Sequence, residues 1–421
     1  MRTGGTPAEW KVIPIAPGSD IFKSPDPENV SLSNPSIVAL PGGRIVVSMD
    51  MTGPGAKHVP GTKGRDPVSG HWLLGKVFVT GDKGKTWTWK TDYPFHQAQL
   101  LRIGSALYLV GLGGDVKVMR SVDGGDTWSK TTSFVLDEAE YAISPSNALL
   151  AKDHVYFAVM KRVSEKQDGV WFSPVILRAR QGVDLANRKA WSLSEPARPL
   201  EELASSECLA YHGFAAAPAP EPSSSKGGEK ESKRRYWGRL SWEAPHVVAA
   251  GQELRLLATA RVNRANVAAV AKVSEDGDGQ MRLEPASGAD GAGRALIQLP
   301  GGHMKFDVVY DDVSRLYWLA SNPSADSVGR RDKAQTARGS EPRDERQELH
   351  LYFSANLVDW RLAACVDSGV AAKELRHHCN LAIGGNDMYL VCCSGHVKQG
   401  GRGYTDRITF HSIPAFRELV Y

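Results

Sequence analysis

Apolar residues occur along this chain in short runs, and each run stops at a cluster of Gly, Pro, Asn, Asp or Ser. No helical spacing of apolar positions is sustained, so the runs read as strands. They group in fours. The first set is Ser36–Leu40, Arg44–Asp50, Leu73–Thr80 and Thr86–Thr91, and the second is Ala98–Ile103, Leu107–Gly111, Val116–Ser121 and Thr127–Thr131. A third covers Asn147–Ala151, Val155–Arg162, Trp171–Ala179 and Ala190–Leu193. The fourth, between Arg239 and Leu283, includes His246–Ala250, Leu254–Val262 and Val267–Val273. The fifth holds Lys305–Tyr310, Leu316–Ser321, Glu348–Ser354 and Trp360–Cys365, and the last Asn380–Ile383, Met388–Ser394 and Arg407–Ile413. Around twenty-four strands in six sets predict an all-β fold, a six-bladed β-propeller with four-stranded antiparallel blades. Two polar, low-complexity stretches, Ala215–Arg235 and Asp326–Glu345, interrupt the rhythm without ending it. They read as mobile insertions within one domain spanning residues 1–421.

Two turns share one wording, Thr80-Gly81-Asp82-Lys83-Gly84-Lys85-Thr86-Trp87 and Ser121-Val122-Asp123-Gly124-Gly125-Asp126-Thr127-Trp128. A weaker copy is Ser354-Ala355-Asn356-Leu357-Val358-Asp359-Trp360. In [S/T]-x-D-x-G-x-T-W the carboxylate can accept turn N–H groups, Gly supplies a positive φ, and Trp packs beneath the turn. The pattern resembles the Asp-box (BNR) repeat of the sialidase superfamily of β-propellers.

Composition narrows the reading. A chain of 421 residues suits a repeat fold in which each sheet packs only on its neighbours. Basic and acidic residues number 51 and 47, a net charge of +4, which gives no ground for nucleic-acid binding. The five cysteines, Cys208, Cys365, Cys379, Cys392 and Cys393, form no C-x-x-C metal pattern and read as buried thiols. Adjacent Cys392 and Cys393 on one strand face opposite ways. No run of 18 apolar residues predicts a membrane span. Met1-Arg2-Thr3-Gly4-Gly5 carries no apolar signal core, which leaves a cytoplasmic protein and a processed secreted one equally open. No spacing calls for a metal or another cofactor, and oligomeric state is open.

The chemistry is carried by the same resemblance, position by position. Ser33-Asn34-Pro35-Ser36 opens an inner strand where sialidases carry Arg-Ile-Pro, so Ser33 stands in place of the first clamp arginine. Asp50, at the end of Val46-Val47-Ser48-Met49-Asp50, falls where they place an acid/base aspartate. Trp242-Glu243-Ala244-Pro245-His246 resembles the strand presenting the supporting glutamate, here Glu243, and Leu257-Ala258-Thr259-Ala260-Arg261 the strand ending in the second arginine. Ser321-Asn322-Pro323 followed by Arg346-Gln347-Glu348-Leu349 makes Arg346 the third. An arginine can grip a carboxylate bidentately. His378, in His377-His378-Cys379-Asn380, takes the place of the nucleophilic tyrosine. Imidazole works as an acid or base near neutral pH. His303 and Lys305, in the turn Pro300-Gly301-Gly302-His303-Met304-Lys305-Phe306, and His58, in the loop after Asp50, add further candidates.

The resemblance thus implies an exo-acting glycoside hydrolase that removes a terminal acidic sugar, a ulosonic or uronic acid, from a glycan. Asp50, Glu243 and His378 are the expected catalytic residues, and Arg261, Arg346, His303, Lys305 and His58 the expected binding residues. Two other readings remain: a uronate lyase in which His378 removes the C5 proton, and a glycan-binding propeller without turnover.

Overall fold

The computed structural model describes residues 15–421 apart from 68, 147, 166–168, 204–240, 261–265, 288–292, 325–345, 370–372 and 397–404. Six antiparallel sheets are arranged as the blades of a propeller, and Ala286–Ser287 pairs with Gly293–Arg294 in a separate two-stranded sheet. Blade 1 runs outward as Ser31–Ala39, Ile45–Thr52, Trp72–Thr80 and Thr88–Tyr93. Blade 2 is His96–Ile103, Ala106–Gly113, Asp115–Ser121 and Thr132–Phe134. In blade 3 the inner strand is split into Tyr141–Ala142 and Leu149–Ala151, both on His154–Glu165, followed by Gly169–Arg180 and Trp191–Leu193. Blade 4 is Trp242–Ala250, Glu253–Ala260, Val267–Glu275 and Met281–Glu284, and blade 5 is Asp307–Asp311, Leu316–Ser321, Glu348–Ser354 and Arg361–Ser368. Blade 6 has Glu374–Gly384, Asp387–His396 and Arg407–Ile413, and takes its outer strand, Ser19–Lys23, from the other end of the chain.

Several boundaries differ from the sequence expectation, among them the inner strand of blade 6, which begins at Glu374 rather than Asn380. The outer strand of blade 2 lies at Thr132–Phe134 rather than Thr127–Thr131, because Thr127 and Trp128 are held inside the turn. The strand Ser19–Lys23 carries no strong alternation of its own and gained no assignment. Both expected insertions lie outside the described residues. One helical turn, Leu200–Leu203, is the only α-helix described, and no described helix is long and apolar enough to cross a membrane.

The apolar core is six cores, one at each junction between blades. Val46, Val77 and Val79 of blade 1 meet Leu100, Leu107 and Leu109 of blade 2, for example, and Trp318 and Leu351 of blade 5 meet Leu381 and Leu390 of blade 6. Cys392 belongs to the junction of blades 5 and 6 and Cys393 to that of blades 6 and 1, on opposite faces of their strand. Cys379 is buried as well, whereas Cys365 is exposed, contrary to the expectation of buried thiols, because its outer strand is solvated; Cys208 is outside the described residues.

Innermost strands present one unpaired edge to the axis, and unpaired backbone groups there must be satisfied by other means. Side chains do this across the blade junctions. Ser36 Oγ accepts the Leu100 N–H (3.0 Å), and Gln99 Oε1 accepts that of Ser146 (3.1 Å). Asp307 Oδ2 accepts the Leu381 N–H and the Asn380 amide, each at 2.7 Å, and Asn380 Oδ1 accepts the Ile37 N–H at 2.8 Å. Thr259 Oγ1 donates to the Met304 carbonyl (2.9 Å). Each of these side chains is buried.

The repeated turns have one geometry. Asp82 accepts the Thr86 N–H (2.9 Å) and hydroxyl (2.6 Å) while Thr80 Oγ1 accepts the Gly84 N–H (3.1 Å). Asp123, Thr127, Ser121 and Gly125 repeat the set, and Ser354 with Asn356 forms a partial copy. Trp87 then reaches under the turn to meet Phe410 edge-on at 5.2 Å, tying blade 1 to blade 6.

Breaking a junction tie strands a buried N–H, at a cost of about 1–3 kcal/mol. Ser36→Ala is expected to lower the unfolding free energy by that much in denaturant melts, and Asn380→Ala, which severs two ties, by more. Changes below about 0.5 kcal/mol in both would refute the role given to these side chains.

Candidate functional site

Four of the inner strands carry a β-bulge at one equivalent position. The register slips between Ser33 and Ser36, His96 and Gln99, Glu243 and His246, and His377 and Asn380. In each, the residue after the first of these has a positive φ: Asn34 (51°), Gln97 (53°), Ala244 (46°) and His378 (52°). A bulge re-aims side chains and ends regular pairing. Here it leaves those four residues partly exposed and buries the next two, Pro35-Ser36, Ala98-Gln99, Pro245-His246 and Cys379-Asn380. Non-glycine residues hold a left-handed backbone only where their surroundings enforce it. The repeated bulge therefore marks one mouth of the central channel.

Asp50 lies directly behind this mouth, paired with Ser33 on one side and Gly75 on the other. It is wholly buried. Its carboxyl accepts the Asn34 amide (2.8 Å), the Tyr93 hydroxyl (2.8 Å) and the Gln97 N–H (2.5 Å). Two of those donors come from bulge residues, so the carboxyl fixes the bulges of blades 1 and 2 together. Gly75 makes room for the arrangement, since a Cβ there would fall 1.9 Å from the Tyr93 ring. Burial lifts the carboxyl from its ordinary range to about 7, against the opposing pull of these three donors. Tyr93 is pushed up too, by burial and then by the charge of Asp50.

Lys305 is the second centre. Its Nζ is buried and has no hydrogen-bond partner among the described residues. Burial lowers its pKa, opposed by the charges of Asp307, Cys379 and Cys393. Its own charge reaches three imidazoles. His246 is held down at about 3 by burial and then by Lys305, and His378 at about 3 by burial, Lys305 and Arg346. His377 is held far below its ordinary range by burial, His378, Arg346 and Lys305. His377 and His378 meet edge-on with ring centroids 4.5 Å apart, and His246 meets Phe306 at 5.2 Å. Cys393, whose thiol is pushed up to about 12 by burial and feels both Lys305 and Asp50, lies between the two centres.

The remaining expected residues divide. Glu243 is partly exposed beside the bulge of blade 4, and Arg346 is partly exposed and acts electrostatically on His377 and His378. His303 is buried, and its Nδ1 accepts the Asn266 N–H (3.1 Å), which places the proton of the neutral ring on Nε2. That contact anchors the turn Gly301–Met304, whose Gly301 N–H also binds Asn266 Oδ1 (2.9 Å). His58 is exposed at the end of the turn Pro54–His58. Arg261 lies outside the described residues. Asp50, Lys305, His378 and Arg346 are thus brought into one neighbourhood. Sequence reasoning passed over Tyr93, Gln97, His246 and His377, although the last two sit within words already singled out. For Gln97, His246 and His377 the signal was the recurrence of one bulge at equivalent positions of four blades, whereas Tyr93, on the outer strand of blade 1, is met only through Asp50. Among the described residues no group of three or more His, Cys, Asp or Glu is placed to hold a metal ion.

No protein-family model matches the chain, and no curated protein does. Solved structures do share its fold. Trypanosoma rangeli sialidase in complex with the inhibitor DANA aligns at 12% identity and a TM-score of 0.54, over 92% of this chain and 56% of that one. This chain therefore spans little more than half the length of that sialidase. Penicillium chrysogenum α-L-arabinanase complexed with arabinobiose aligns at 12% identity and 0.51, over 96% and 99% of the two chains. The K499G mutant of NanB sialidase from Streptococcus pneumoniae aligns at 10% and 0.52, over 95% and 71%. At these identities the likeness is one of fold: the six-bladed propeller expected from the strand pattern.

A carboxyl whose pKa is raised on folding stays protonated in the native protein when it has already ionised in the unfolded one. Stability from this group is therefore highest near pH 4 and falls as pH rises to about 7, by up to about 4 kcal/mol. The depressed histidines act oppositely, raising stability as pH climbs toward 6.5. Comparing Asp50→Asn with the parent isolates the carboxyl. The variant should gain stability relative to the parent as pH rises from about 4 to about 7 in denaturant melts; a constant difference would contradict the raised pKa.

Proposed function

We propose that this propeller is a glycoside hydrolase that removes a terminal acidic sugar, a uronic or ulosonic acid, from a glycan. The observation carrying the reading is the grouping of Lys305 and Arg346 with His246, His377 and His378, in which Lys305 Nζ and the ring nitrogens of His246 and His377 are buried without partners among the described residues, with the buried Asp50 carboxyl reached through Cys393. Such a basin favours a negatively charged group over a neutral one. Shared fold with two sialidases and an arabinanase supports sugar chemistry, and we read the repeated turns as the Asp-boxes of sialidases.

In this reading the carboxylate of the sugar rests against Arg346 and Lys305, with Arg261 as a further expected clamp. Glu243 and His378, both partly exposed on bulges of inner strands, carry the proton transfers: Glu243 activates the water, and His378 protonates the leaving oxygen. Asp50 enters as a positioning residue, since each of its oxygens is already engaged inside the wall. His303 supports the turn that carries Lys305. His58, exposed on the loop after Asp50, would meet the outer part of a longer glycan.

Mass spectrometry of products from a panel of acidic and neutral oligosaccharides tests this. The expected result is a released acidic monosaccharide with one added water, and a loss of turnover of roughly 10²–10⁴-fold in Glu243→Gln and His378→Gln. An unsaturated product without added water would establish a lyase instead. Binding of acidic glycans with no product from any member would establish a glycan-binding propeller.

A further inference from the structure

The basic groups of the channel mouth are arranged in a way that clamping alone does not require. A carboxylate can be held by Arg and Lys without histidine. Here three imidazoles from two blades feel the charge of Lys305: His246 on the inner strand of blade 4, and His377 and His378 on that of blade 6, with Lys305 itself leading into blade 5. His246 and His377 are buried, as is Lys305. Neither ring nitrogen of His377 has a hydrogen-bond partner among the described residues, nor does Lys305 Nζ. Burying polar atoms without partners costs free energy, and a site that does so at its centre is built for something that supplies them.

We propose that Lys305, His377, His378 and His246 form a proton-linked oxyanion site, in which an acidic group enters together with a proton taken up by an imidazole. The proposal rests on the reading of the mouth as the place where an acidic sugar binds. The physical cause is mutual. In the free protein burial and, after it, the positive charge of Lys305 oppose protonation of the imidazoles, with Arg346 adding to this at His377 and His378. An anion against Lys305 and Arg346 offsets that charge and gives an imidazole N–H something to donate to, so protonation becomes favourable. Among the described residues, charged groups flank the pair His377–His378 along the chain and across the blade junction. They are Arg346 before the third strand of blade 5, Lys305 before its first, and Arg376 and Glu374 on their own strand. Asp307 and the thiols Cys379 and Cys393 act on Lys305, and Asp50 acts on Cys393. Arg376 is paired with Asp367 (2.7 Å) and with Glu374, and the cations that act on His377 and His378 are Lys305 and Arg346.

The consequence is selective. A neutral sugar leaves His378 uncharged and unable to protonate a leaving group, whereas an acidic sugar charges the acid that the reaction needs. The substrate's own carboxylate thus arms the site, and discrimination against neutral glycosides appears in kcat as well as in KM.

Isothermal titration calorimetry of the full chain with glucuronate and with inorganic sulfate, in two buffers of different ionisation enthalpy at pH 5.5, counts the protons exchanged. The expected result is uptake of about one proton per bound anion, with none for glucose. Because the bound state holds more protons, affinity should tighten as pH falls from 7 to 5, by up to about tenfold per pH unit. His378→Gln and His377→Gln should each bind sulfate with reduced uptake. Anion binding with no uptake overturns the proton linkage and leaves the acidic-sugar reading intact. Uptake with sulfate alongside turnover of neutral glycosides overturns the acidic-sugar reading and leaves the site standing. Failure of both anions to bind overturns both.

Discussion

The inner strand of a propeller blade has an edge with no neighbouring strand to pair with, and the whole molecule is organised around satisfying it. The solution is the set of buried polar side chains Ser36, Gln99, Asp307 and Asn380, each reaching across a junction to a backbone N–H of the next blade. Apolar packing cannot supply these bonds, and water in a narrow channel supplies them poorly. The six apolar cores lie farther out, between the sheets. Packing sets how far apart the blades stand, and the polar ties set their angular register.

The same requirement generates the site. Where an inner strand bends away from regular pairing, its bulge turns one residue toward the mouth and buries the next two. One of those two makes the junction tie in blades 1, 2 and 6, while the partly exposed residue turns toward the mouth, where Asn34 binds Asp50 and Gln97 accepts the Ile143 N–H. Ser36 and Asn34, Gln99 and Gln97, Asn380 and His378 are such pairs. Architecture and function are therefore separated by only two positions along the strand. Asp50 adds a layer behind, since its carboxyl holds Asn34 and the Gln97 backbone at once.

Much of the fold was legible because period-2 alternation and turn chemistry are local signals. The turns at Asp82 and Asp123 fold from their own residues, and their wording was enough to place them. Ser19–Lys23 was not legible, because that strand is defined by its partner Arg407–Ile413 and not by its own pattern. The outer strand of blade 2 was displaced for a related reason: the turn retains Thr127 and Trp128. Among the candidates, Asp50, Glu243, Arg346, His378 and Lys305 were named through words surrounding them. Tyr93 and Gln97 were not, because they act through an aspartate 43 and 47 residues away, which spacing along a sequence does not reveal. His246 was placed in a strand and given no role, although its neighbour Glu243 was singled out. Equivalence between blades exists only once the blades are superposable in space.

The last blade takes its outer strand from Ser19–Lys23, with Ser19 opposite Phe410 and Lys23 opposite Arg407. Every other blade is assembled from contiguous chain, so its strands can pair as they emerge. Closing the ring demands that the two ends of a very long loop find each other, an entropic cost that grows with the logarithm of loop length and delays the step relative to local hairpins. Until then Arg407–Ile413 presents an open edge, the kind of surface on which chains of this type aggregate. The short strand near the start of the chain thus acts as a clasp: during synthesis it waits for nearly all the rest, and the ring becomes a ring only when it engages.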